Sequence, residues 1–181
     1  MRNKLRIDHR EKLRIDHREK KLKGSGEKHA YLYTGSDNSN MLGLEKASYM
    51  GPDTLLFDRI ISGSKPKTYS DTVSQAHDLR YSLAGNTADI RKADNKMLEN
   101  LKKASNEKLD YQFNIKQGEI GIKSKIFLED YLGVKPETFA SFGKDKLSDV
   151  ELLVYTNKLK ELELEGFGKK KKLRRLKMCK F

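Results

Sequence analysis

Two helical patterns stand on either side of Gly85-Asn86, and this pairing limits the possible folds more than any other feature of the chain. From Thr72 to Leu83 the apolar and small residues Val73, Ala76, Leu79 and Leu83 recur at three- and four-residue steps, which places them on one side of an α-helix. Ser70 or Asp71 stands where such a helix takes its N-cap. From Thr87 to Ala104, Ile90, Ala93, Met97, Leu98 and Leu101 form a second apolar face, with Lys and Arg on the opposite one. Gly85 and Asn86 can end the first helix, and so short a connection makes the two helices antiparallel neighbours.

The remaining elements are less sharply patterned. Ile115 to Ile122 is apolar at alternating steps and interrupted by Gly118 and Gly121, and Ser124 to Leu132 reads as a short helix stopped at Gly133. A stronger helix is expected from Ser148 to Leu164, opened by a capping box of Ser148 with Glu151 and ended at Gly166. Its Leu152, Leu153, Tyr155, Leu159 and Leu162 read as a face for core or partner-helix packing rather than for membrane insertion.

Charge divides the chain further. The total is +12, yet residues 1–28 carry +6 and residues 166–181 carry +8, which leaves His29 to Glu165 at −2. The basicity belongs to the ends. It suits polyanions, either nucleic acid or an anionic membrane face, without sequence specificity. The first segment repeats KLRIDHRE at Lys4–Glu11 and Lys12–Glu19. Its eight-residue period specifies neither a long helix nor a core, and His9 and His17 have no third ligand at metal-binding spacing. The resulting scheme is a basic repeat arm (1–28), a linker docking through Tyr31 and Tyr33 (29–45), a core (46–104), an accessory region with the C-terminal helix (105–165), and a basic tail (166–181). Cys179 is the sole cysteine, so no intrachain disulfide forms and packing must hold the fold, as fits a reducing cytosol or nucleus. No apolar run reaches the ~18 residues of a membrane span, and no apolar segment follows the basic N-terminus as in an export signal.

Three motifs carry chemistry. Tyr49-Met50-Gly51-Pro52-Asp53 comes first, then Asp71 with Ala76-His77-Asp78 and Tyr81, then Ala93-Asp94-Asn95. Consecutive helical residues point about 100° apart, so His77 can face a substrate while Asp78 faces a cation beside it. Tyr81, three residues after Asp78, lies on the same side, where its hydroxyl can steady a neighbouring carboxylate. The antiparallel second helix brings an acid opposite His77, with Asp94 and Asp89 as the candidates.

In order and spacing this set resembles the phospholipase A2 domain of parvovirus minor capsid proteins, which has a Y-x-G-P-G calcium loop, a helix with D-x-A-A-x-x-H-D-x-x-Y and a following helix with a further Asp. The likeness covers Ala47 to Leu101. It implies a mainly α fold: a core of two antiparallel helices preceded by a calcium loop, with the C-terminal amphipathic helix and basic tails added and no disulfides. It also implies Ca²⁺-dependent hydrolysis of the phospholipid sn-2 ester, with His77 as general base, Asp94 favoured over Asp89 as its partner, and Tyr81 and the Gly51 N–H in support. The cation ligands would be Asp78 and the backbone carbonyls of Tyr49, Gly51 and Asp53. Virion location, exposure during entry, a phospholipid membrane as substrate and a major capsid protein as partner follow from the same likeness. Asp53 departs from the pattern by standing at the second loop Gly; positive φ there would cost up to ~1–2 kcal/mol. The stretch from Asp53 to the first helix is also longer than the family's. Two rival readings are a catalytically degenerate capsid element that contacts shell or genome through its basic tails, and a small nucleic-acid-condensing protein.

Overall fold

The computed structural model describes residues 28–35, 43–52, 54–136 and 143–164. Most of the basic repeat arm, the whole basic tail and Asp53 lie outside these residues. Within them the order is β1 (Tyr31–Tyr33), β2 (Leu44–Lys46), α1 (Leu56–Ile61), α2 (Tyr69–Ser82), α3 (Thr87–Asn106), α4 (Gln112–Leu132), a 3-10 turn (Lys144–Lys146) and α5 (Asp149–Leu164). The protein is mainly helical, with one two-stranded sheet.

Helix α2 is the centre of the fold because it has an apolar residue for each flank. Ala76 and Leu79 pack with Tyr49, Leu56, Tyr155 and Leu162, which joins α2 to α1 and α5. Val73 packs with Met97, Leu101, Ala104, Ile115 and Ile122, which joins it to α3 and α4. Leu79, Leu101 and Ile115 have no exposed surface, and burying each such side chain contributes about 1.5–3 kcal/mol. Tyr81 meets Ile90 near the α2–α3 connection, while Val73 meets Met97 and Leu101 further away, so the two helices run antiparallel.

The ends of the helices show how local chemistry sets them. Thr68 caps α2, its side chain accepting from the Asp71 N–H at 3.2 Å. The expected caps Ser70 and Asp71 fall inside the helix, and the Asp71 carboxylate is used elsewhere. Asn86 caps α3 by accepting from the Asp89 N–H. Ser148 and Glu151 form the capping box of α5: the Ser148 N–H donates to Glu151 Oε2 at 2.9 Å, and the Glu151 N–H donates to Ser148 Oγ at 3.3 Å.

Two stretches differ from the sequence expectation. The alternating stretch Ile115–Ile122 and the short helix after it are one continuous helix, α4. Its buried positions Asn114, Ile115, Gly118, Ile122 and Lys125 follow helical spacing. Gly118 is no interruption: it makes room for Leu101, whose Cδ1 would lie 3.0 Å from a Cβ there. Gly133 ends the helix in left-handed conformation, φ 64°. The segment read as a linker contains β1, which pairs antiparallel with β2 in the register Tyr31 to Lys46, Leu32 to Glu45 and Tyr33 to Leu44. Leu32 is fully buried, and Asn114 of α4 grips the strand by accepting from the Tyr33 N–H and donating to the Tyr33 carbonyl. A three-residue strand is too short for its alternation to stand out in a polar, glycine-containing sequence.

Candidate active site

His77 and Asp94 face each other across the α2–α3 pair, with His77 Nε2 2.8 Å from Asp94 Oδ1. Both are buried, Asp94 completely. Asp89, the other acid considered, lies on the surface and pairs with Lys92 while accepting from the Gly85 N–H. Burial opposes ionisation of Asp94, but hydrogen bonds from His77 and Lys125 outweigh it and hold the carboxyl below its ordinary 3.8. Burial likewise opposes protonation of His77, yet hydrogen bonds to Asp78 and Asp94 prevail and raise the ring above its ordinary 6.5. Nδ1, the other ring nitrogen, is 3.4 Å from Asp78 Oδ1, a longer contact than the one to Asp94.

The loop before α1 is fixed by Asp71. Its Oδ1 accepts from the N–H groups of Tyr49 (2.8 Å) and Met50 (2.9 Å), and its Oδ2 accepts from those of Ser48 (2.9 Å) and Lys67 (2.9 Å). One buried carboxylate thereby satisfies four main-chain donors. With those N–H groups turned toward Asp71, the carbonyls are left for other partners: Met50 O accepts from the Ala30 N–H, while Tyr49 O and Gly51 O are 3.3 and 3.2 Å from the single Thr54 hydroxyl. The Tyr49 and Gly51 carbonyls therefore point at a common position. The Tyr49 phenol donates to the Ser64 carbonyl at 2.7 Å, and its pKa is pushed up to about 12, first by burial and then by the negative charge of Asp71.

Gly51 is required by its surroundings. Its φ is 151°, and a Cβ would overlap the Lys28 carbonyl oxygen and lie 2.8 Å from His29 Cα. Both neighbours are backbone and cannot swing aside. Gly51→Ala is expected to cost about 1–3 kcal/mol or more and to displace the strand lead-in from the loop. Thermal unfolding of the variant beside Gly63→Ala, where nothing lies within 4 Å, would separate overlap from the cost of positive φ alone.

Asp78 Oδ2 is buried and has no hydrogen-bond partner among the described residues. Burial raises the Asp78 carboxyl above its ordinary 3.8, and neighbouring Asp71 adds to this, while the contact with His77 counters it only in part. The Asp78 carboxylate and the Tyr49 and Gly51 carbonyls are oxygen donors of the kind that suits a hard cation, and in this structure both carbonyls are turned to the Thr54 hydroxyl. The residues fit calcium. Asp53, the remaining ligand expected from the sequence, lies outside the described residues.

Tyr81 differs from expectation. Its hydroxyl donates to the Pro136 carbonyl at 2.8 Å, so its proton is not spent on a carboxylate. The ring lies beside His77, with centroids 5.7 Å apart, and Lys125 Nζ sits 5.1 Å from its centroid. Lys125, which sequence reasoning passed over, steadies Asp94 instead, with Nζ 2.5 Å from Oδ2. The available signal was a Lys125–Glu129 pair at i,i+4 on a helix whose neighbouring residues are apolar. His29 was also missed: it is buried and accepts at Nε2 from Arg59 at 3.0 Å.

No family model, curated protein or solved structure matches this chain.

Proposed function

We propose that this protein is a calcium-dependent, phospholipase A2-like hydrolase of the phospholipid sn-2 ester. The observation that carries the reading is the His77–Asp94 pair, set across two antiparallel helices beside an Asp78 oxygen that has no hydrogen-bond partner among the described residues. His77 Nε2 donates to Asp94, which leaves the Nδ1 lone pair as the base. Nδ1 takes a proton from a water as that water's oxygen bonds to the sn-2 carbonyl carbon. Asp94 stabilises the imidazolium so formed, and the proton then passes to the departing glycerol oxygen, releasing fatty acid and lysophospholipid. Calcium held by Asp78 and the Tyr49 and Gly51 carbonyls would polarise the ester carbonyl and offset the charge on its oxygen. Asp71 acts at a distance by fixing the loop that presents those carbonyls.

A virion setting, with the domain exposed during entry to breach a membrane, rests on the sequence resemblance. A second reading keeps the fold without catalysis, as a capsid-lining element with basic tails. It is favoured by the outer face of α4, where Phe113, Ile120, Phe127 and Tyr131 are all more than half exposed.

The test is fatty-acid release from mixed phospholipid vesicles by the full chain, with calcium in millimolar excess or with chelator, together with thermal unfolding under both conditions. Release only with calcium, and a higher unfolding midpoint with calcium, are expected. A ligand at about a hundred times its Kd adds roughly 2.7 kcal/mol. A folded chain with no release and no calcium-induced shift would favour the structural reading.

A further inference from the structure

We infer that Lys125 is a positioning residue that sets the tautomer of His77 by supplying the counter-charge of Asp94. The inference rests on the reading of His77 as a base, and it concerns a residue to which that reading gave no role.

Asp94 has no exposed surface, and its two oxygens are divided between partners: Oδ1 meets His77 Nε2 at 2.8 Å and Oδ2 meets Lys125 Nζ at 2.5 Å. Lys125 is itself buried, and it forms an ion pair with Glu129 Oε1 at 2.7 Å and lies over the Tyr81 ring. Arg91 continues the series outward, 3.2 Å from Glu129 and 2.5 Å from Asp130 at the surface. Charges of alternating sign thus run outward from Asp94, the partner of His77, through Lys125, Glu129 and Arg91 to Asp130, with the members drawn from α3 and α4. On the other side of His77 stands Asp78, which in turn feels the negative charge of Asp71.

A neutral imidazole can carry its proton on either nitrogen, and only the Nε2–H form leaves Nδ1 able to accept one. An ionised Asp94 accepts and so selects Nε2–H. A buried carboxylate stripped of its cation is strongly disfavoured and takes up a proton. A protonated Asp94 would donate to Nε2, and the imidazole proton would then sit on Nδ1, facing Asp78. The base would be lost although every residue named in the reaction remained in place. Lys125 prevents this because its ammonium, held between Asp94 and Glu129, keeps Asp94 an acceptor.

The experiment compares the full chain with Lys125→Met, Lys125→Gln and Lys125→Arg, using ¹⁵N-histidine NMR at mildly alkaline pH with calcium present. The His77 signals are identified by their loss in His77→Asn. Vesicle hydrolysis is measured on the same samples. The expected result is an Nε2–H tautomer in the parent and in Lys125→Arg, and Nδ1–H in Lys125→Met and Lys125→Gln. For the latter two, kcat should fall roughly 10²- to 10⁴-fold, as when a catalytic histidine is held in the wrong tautomer, with KM little changed. Lys125→Gln keeps a donor to Asp94 without the charge, so it decides the matter if the Met variant fails to fold. An Nε2–H tautomer that persists in the folded Met or Gln variant, or an Nδ1–H tautomer in the parent, overturns the inference. A tautomer switch in a parent that hydrolyses no lipid upholds the role of Lys125 and removes the phospholipase reading alone.

Discussion

Asp71→Asn is expected to destabilise the protein by about 3–5 kcal/mol and to abolish its response to calcium, although the substitution changes a single atom. The reason is the division of labour between the two carboxylate oxygens. Oδ1 serves the Tyr49 and Met50 N–H groups, and Oδ2 serves those of Ser48 and Lys67. An amide has one oxygen, so whichever way Asn is placed, its NH₂ confronts two main-chain donors with a donor of its own. Each buried N–H left without a partner costs about 1–3 kcal/mol, and the hydrogen bonds that remain lose their charge assistance. Asp71→Ala should be similar in size, since it frees all four donors but leaves space for water. The loop would relax, and the Tyr49 and Gly51 carbonyls would no longer share a focus. Urea unfolding measures the first effect, and the calcium-induced shift in unfolding midpoint measures the second. An Asn variant within about 1 kcal/mol of the parent would show that the loop holds its shape without Asp71.

That an acid at the first turn of a helix should organise a loop more than fifteen residues earlier was not legible from the sequence. Asp71 there satisfies the ordinary rule for an N-cap, and only the tertiary contact shows that Thr68 does that work and that Asp71 points the other way. The helices themselves were legible, because α2, α3 and α5 have apolar residues at three- and four-residue steps and capping groups at their ends. So was the opposition of an acid to His77, because a short antiparallel connection fixes which residues of two helices can meet. The choice between Asp94 and Asp89 needed the geometry of the turn, where Asp89 is taken up by Gly85 and Lys92. Helix α4 was misjudged because its glycines read as breaks, whereas one of them is the socket for Leu101. Lys125 was overlooked for a related reason: even with Glu129 at i+4, a lysine on a helix reads as solvated until the helix is seen to turn it inward. Strand β1 was hidden by its length.

His77→Ala should reduce lipid hydrolysis roughly 10²- to 10⁴-fold, the range a general base contributes, while costing the fold only about 1 kcal/mol. The small structural cost follows from Lys125, which remains bonded to Asp94 Oδ2 and leaves no charge unpaired when the imidazole goes. The two consequences should have opposite pH dependences. The pKa of His77 is raised in the folded protein above the ordinary 6.5, so its protonated form contributes stability that is fully present below 6.5 and lost as pH rises through the folded value. The stability deficit of the variant relative to the parent is therefore largest on the acid side and shrinks above that value. Catalysis needs the neutral ring, so the parent's rate should climb over the same interval in which this stabilisation fades. On the proposed reading, calcium adds a third constraint. Asp78 is among the groups that raise the ring, and a cation sharing its carboxylate weakens that pull, so the acid limb of the rate profile should move to lower pH as calcium increases. Rate profiles at two calcium concentrations, with urea unfolding of parent and variant across the same pH range, would show all three effects. A rate that survives in His77→Ala would remove His77 as the base. An acid limb indifferent to calcium would separate Asp78 from the cation.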